Sequence, residues 1–354
     1  MNGFEHYREL ISSAQYVDEI LPLLRPIART PETRDLARSL IGELISGDLS
    51  ALHGSANEWF NLITYASQVD FTTAERFLFE AALLAHPSDV DILCQWFQFQ
   101  YGHGTIQDGL EVWQRIEELG EDETAPYWRY WAYRAMFLAN YLNDKIHAVE
   151  FLDRGLTHVV PEGLLNIYRQ YRVVLIDGGV RPSAAADTSF NDYDKLAERV
   201  EEKFREGLHK GIENGYVLAR ELARLLRERS AGKSDEQAAQ VLDEALDLLD
   251  LAERTYTANP NHPIEDIYVE KAVTFMARRR YADALQIFRS LPSYRLDESL
   301  AVMARYAANM TGQRFESDTQ ARTAEMEDLS SRLSRLENLL SALLSSADAA
   351  TETP

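Results

Sequence analysis

Apolar residues recur every three to four positions through most of this 354-residue chain, the period of one buried face of an α-helix. Short polar turns interrupt the pattern at regular intervals. Residues 56–68 and 72–85 form one helical pair, and 89–101 and 106–118 form the next, parted by Gly102-His103-Gly104. A third pair, 126–141 and 145–158, turns at Asn143-Asp144. Pro87, Pro126 and Pro161 stand 39 and 35 residues apart and punctuate these pairs. Recurrence at this spacing predicts an α-solenoid, in which each hairpin buries its apolar face against its neighbours.

The second half keeps the helical period with less regularity. Residues 162–177 read as a helix, although Val173-Val174-Leu175-Ile176 before Asp-Gly-Gly also fits a strand, which would have nothing to pair with. Residues 178–191, rich in Gly, Pro, Ala, Ser and Asp, read as a loop. Helices are expected over 192–210, 214–229 and 235–257, and a hairpin over 264–279 and 281–291 before Pro292. Pro22, Pro26 and Pro31 crowd the first fifty-five residues, which read as short capping helices. The expected divisions are 1–55 (cap), 56–160 (regular repeats), 161–312 (less regular repeats) and 318–345 (a separate helix).

The hairpin at 265–292 resembles a tetratricopeptide repeat. Tyr268, Ala272 and Phe275 stand where that family carries large, small and aromatic residues on the first helix, and Tyr281, Ala284 and Phe288 match its second helix, with Pro292 closing the unit. Ala74/Leu78/Ala81, Gly109/Trp113 and Ala148/Leu152/Gly155 repeat the second-helix pattern loosely. The resemblance covers about half of the chain, roughly 56–160 and 235–292, with spacings from 32 to 39 residues. It implies an all-α solenoid of hairpins with a concave groove that holds another protein.

Aromatic residues concentrate between Trp96 and Tyr141, and APYWRYWAYRAMFLANY carries seven in one helix. With that helix registered on the repeat, the resemblance places Tyr130, Tyr133, Phe137 and Asn140 on the groove side. Trp59, Gln98 and Tyr101 fall at equivalent positions of the two preceding hairpins. Large rings with polar tips are favoured anchors for a bound peptide. The other reading is an aromatic core between helices, since stripes at helical spacing ordinarily face inward.

Near the C-terminus Met326, Leu329, Leu333, Leu336, Leu340 and Leu343 are spaced 3, 4, 3, 4 and 3, a heptad seam of about three repeats. Arg332 and Glu337 fall at g and the following e, an attractive pair between parallel copies, while Leu339 and Leu344 widen the stripe. Self-association into a homo-oligomer is the first reading of this seam. A cap on the last repeat is the second.

Charge narrows the partners. With 36 basic and 57 acidic residues the net charge is −21, which repels phosphate backbones and anionic lipid and favours a basic protein segment. The run Arg278-Arg279-Arg280 is the best basic patch, but cations at a helix end ordinarily complement its carboxyl terminus. The N-terminal MNGFEHYRELISS lacks a signal-peptide pattern and no stretch is apolar enough to span a membrane, so a cytoplasmic protein is expected.

Chemistry-bearing motifs are weak. Gly232-Lys233-Ser234 imitates the end of a phosphate loop, but Arg227 stands where the earlier glycine is required. The eight histidines show no paired metal-ligand spacing; His86, His103 and His262 lie in turns beside Pro or Gly. The single cysteine, Cys94, sits in an apolar helix with no Lys or Arg within a turn. No catalytic residue, metal or cofactor is therefore assigned. The expectation is a protein-binding adaptor or scaffold, with a regulatory subunit acting on an enzyme or nucleic-acid machine as the first rival, a helical enzyme as the second, and an RNA-reading repeat opposed by the charge.

Overall fold

The computed structural model describes residues 2–24, 31–177, 193–231, 233–259, 261–292 and 295–315. Among these, regular structure is helical. The lone strand-type contact is an isolated parallel bridge in which the Val17 amide donates to the His53 carbonyl (2.8 Å) and the His53 amide to that of Gln15 (2.8 Å).

The chain forms two compact units, Met1–Leu196 and Ala197–Pro354. The first begins with α1 (Asn2–Ser13), α2 (Val17–Leu24) and α3 (Pro31–Ser46). Three hairpins follow: α4 (Ala56–Gln68) with α5 (Thr72–Ala85), α6 (Val90–His103) with α7 (Ile106–Glu117), and, after the short α8 (Glu121–Thr124), α9 (Trp128–Asn140) with α10 (Lys145–His158). The helix α11 (Leu164–Arg172) closes in a five-residue π-helical turn, Val173–Asp177, so the Val-Val-Leu-Ile run is helical rather than extended. The second unit takes in most of α12 (Tyr193–His209), then α13 (Gly215–Ser230), α14 (Asp235–Thr255), α15 (Glu265–Ala277), α16 (Tyr281–Ser290) and α17 (Glu298–Met310). The loop expected at 178–191 lies outside the described residues, and so does the seam from Met326 to Leu343.

Helix starts follow from local chemistry. Ser55 and Thr105 each accept a hydrogen bond from the amide three residues on, and the Glu58 and Asp108 carboxylates accept one from the cap amide, a capping box that satisfies two otherwise orphaned donors. Asp89, Asp144, Ser234 and Asp297 cap α6, α10, α14 and α17 through one such bond. The Ser234 hydroxyl is thus engaged as a helix cap.

Small residues set the helix crossings. A Cβ on Gly155 would lie 2.8 Å from Trp131 Cγ, and one on Gly109 3.0 Å from Tyr101 Cβ, so glycine is what allows these aromatic helices to close. Each hairpin's helices pack together, and first helices also touch in series: α4 with α6, α6 with α9, α9 with α11, and in the second unit α13 with α15 and α15 with α17. In that unit Leu246, Ala272, Phe275, Ala284, Phe288, Leu291 and Ala304 form one buried cluster, which includes four of the six residues that carry the repeat resemblance.

Candidate partner-binding face

The first helices of the N-terminal unit carry all seven residues expected to meet a partner. Trp59 lies on α4, Gln98 and Tyr101 on α6, and Tyr130, Tyr133, Phe137 and Asn140 on α9. The structure divides them by burial. Trp59 and Phe137 are fully enclosed, Tyr101, Tyr130 and Tyr133 are nearly so, and Gln98 and Asn140 are half-buried. The five rings are therefore interior packing in this fold. Phe137 lies 5.2 Å from Phe97 and 5.4 Å from Tyr101, centroid to centroid, while Tyr130 stacks on Trp113 of α7 at 5.0 Å and 15°. Trp131 closes the other side against Phe151 of α10 at 4.7 Å. Such offset and tilted pairs add about 0.5–1.5 kcal/mol each beyond burial.

Arginines stitch these rings together. Arg129 lies 4.5 Å from the Phe60 ring centroid and donates from Nη1 to Asp91 Oδ1 at 2.8 Å, so one side chain from α9 links α4 and α6. Arg134 lies over Trp113 at 4.7 Å and Phe137 at 5.5 Å, and burial lowers its pKa while nearby Glu117 opposes that shift. Burial likewise raises the phenols of Tyr101 and Tyr133, the latter opposed by Arg129 and Gln95. Tyr65, buried and donating to the Leu24 carbonyl at 2.7 Å, is pushed up to about 12. Burial also raises the Cys94 thiol, which keeps it protonated and inert.

Within the helix pairs of the N-terminal unit, unsatisfied buried polar atoms fall on the first helix of each pair and on α11. Trp59 Nε1 on α4, Tyr101 Oη on α6, Arg134 Nη1 and Asn140 Oδ1 on α9, and Gln170 Oε1 on α11 are buried atoms with no hydrogen-bond partner among the described residues. No such atom falls on α5, α7 or α10 among the described residues. A buried polar atom left unpaired costs about 1–3 kcal/mol. Each such group calls for a physical explanation, such as strain, an ordered water or a bound ligand.

Of the residues with such atoms, Trp59, Tyr101 and Asn140 are among the seven expected from sequence to meet a partner, whereas Arg129, Arg134 and Gln170 are not. The arginines in WRYWAYRAMF were a usable signal, because a charge held among aromatics needs a ring face or a carboxylate. Gln170 carried no such signal.

Several charged groups elsewhere are paired. The run at 278–280 faces acids: Arg278 to Asp243 at 2.9 Å, Arg279 to Asp235 at 3.8 Å and Arg280 to Asp283 at 2.8 Å. A shallow depression in the second unit is lined by Glu198, Glu201, Glu202, Arg205 and Arg229, with the two arginines paired to its acids. Among the described residues no group of three or more His, Cys, Asp or Glu is placed to hold a metal ion, and no helix is long and apolar enough to cross a membrane. No protein-family model matches the chain, and no curated protein matches its sequence.

Proposed function

We propose that this chain is a protein-binding adaptor, a solenoid of tetratricopeptide-like hairpins whose first helices present the partner face. The observation that carries the reading is the confinement of unpartnered buried polar atoms in the hairpin region to α4, α6, α9 and α11. Amide side chains such as Gln98, Asn140 and Gln170 both donate and accept, which suits the main chain of a peptide laid across successive helices. The aromatic layer beneath holds these groups in fixed positions, which limits the entropy lost on binding. The acidic balance of the whole chain favours a partner with basic segments.

The test is capture from a native extract by the immobilised full chain, read by quantitative mass spectrometry. Three forms are compared: the parent, Gln98→Ala/Asn140→Ala, and Gln114→Ala on the exposed face of α7. The expected result is a set of proteins retained by the parent and by Gln114→Ala but reduced about tenfold by the double variant, equivalent to about 1.4 kcal/mol. Equal retention by all three forms contradicts the proposal.

A further inference from the structure

The last described helix, α17, ends in the same kind of turn as α4, α12 and α15. At the close of α4, the amides of Val69, Asp70 and Phe71 donate to the carbonyls of Tyr65, Ser67 and Ala66. At the close of α15, Arg278, Arg279 and Arg280 donate to Thr274, Met276 and Phe275 in the same order. At the close of α17, Thr311, Gly312 and Gln313 donate to Ala307, Asn309 and Ala308, again in that order. The middle residue is left-handed each time, with φ of 53° at Asp70, 61° at Arg279 and 67° at Gly312. This is the Schellman turn, and in the first two cases it delivers the chain directly into the second helix of the hairpin.

Beyond its buried alanines, α17 carries an exposed apolar face. Val302, Tyr306 and Met310 stand four residues apart on one side of the helix and are 53%, 51% and 53% exposed. Ala304, Ala307 and Ala308 occupy the other side and are buried. Three large apolar side chains in one exposed helical row mark a contact surface more than scattered surface residues do. Two side-chain contacts also hold the outgoing chain on the molecule. Arg289 of α16 donates to Gln313 Oε1 at 2.8 Å and to the Arg314 carbonyl at 3.0 Å, and Phe315 packs on the cluster of Leu285, Ala307 and Ala308.

We propose that the Val302/Tyr306/Met310 face of α17 is the docking site of this chain's own segment 326–343. That segment holds the sustained helical leucine pattern of the 39 residues after Phe315, so it can supply a complementary apolar face. The reach suffices. Ten residues separate Phe315 from Met326 and extend to about 35 Å, against about 20 Å for the length of α17. A segment on so short a tether has an effective concentration in the millimolar range, so it outcompetes a second copy of the chain at ordinary concentrations. The leucine seam is then the cover of the last hairpin, and the outer end of the repeat array is closed by it.

The test is the labelling rate of a thiol placed by Val302→Cys in the full chain, with buried Cys94 silent. The expected rate is about tenfold below that of an unstructured cysteine peptide, unchanged on dilution, and restored in Val302→Cys combined with Leu333→Lys/Leu336→Lys. The comparison with the peptide stands even where the lysine variant fails to fold. A rate equal to the peptide's overturns the proposal, as does protection that disappears on dilution, which would assign the cover to a second copy.

Discussion

Two buried side chains give the most direct access to the forces at work in the N-terminal unit. Phe137 is enclosed between Phe97, Tyr101 and the backbone at Gly109, and its truncation leaves a cavity that rigid aromatic neighbours fill poorly. Phe137→Ala is expected to destabilise the unit by about 3–5 kcal/mol, read by urea denaturation. A loss below about 1 kcal/mol would mean that the ring is not part of the core. Glu75 is also buried, and burial raises its carboxyl above the usual value while His103 and a hydrogen bond from Ser67 act in the opposite sense. The ionised form is thus disfavoured on folding, and that cost is present at neutral pH and disappears as pH falls below the ordinary value of 4.5. Glu75→Gln is expected to raise Tm at pH 7 and to leave it unchanged at pH 4. A lower Tm at pH 7 would show that hydrogen bonding outweighs desolvation there.

At the scale of elements, the Schellman turns explain why these helices stop where they do. Arg279 and Asp70 hold left-handed backbone with a side chain attached, whereas Gly312 does so without strain. Arg279→Gly is expected to gain up to about 1 kcal/mol, and Gly312→Ala to lose about 1 kcal/mol, both read by thermal unfolding. The same sign for both substitutions would mean that the turn is not what limits them. Helix boundaries were legible from sequence where caps and turns are chemical: Ser55 to Glu58 opens α4, and Asp144 opens α10. The end of α11 was less so, because Val173-Val174-Leu175-Ile176 has strand propensity, and tertiary packing of Val174 and Leu175 in the core decides for a π-helical turn. The helix α17 was not singled out either. Its alanine-rich buried face and its exposed valine, tyrosine and methionine blur the hydrophobic stripe.

For the whole molecule, the fold is written into the sequence more fully than the site is. An all-helical chain of paired helices was readable because period, turn chemistry and small-residue positions agree at every level. Which face of α9 would meet the proposed partner was not readable to the same degree. An aromatic residue at a given helical position serves a groove or a core equally well, and only its neighbours decide. Here Trp113, Phe151 and Phe97 enclose the rings and leave the half-buried amides of Gln98 and Asn140 nearer the surface.

The central claim is that partner contact runs along the first helices of the N-terminal unit. Hydrogen–deuterium exchange of the full chain, alone and with the protein it retains most strongly, measures this without any substitution. Slower exchange is expected in α4, α6, α9 and α11, with α5, α7 and α10 changed little. Protection confined to α5, α7 and α10, or found only in the second unit, would contradict it.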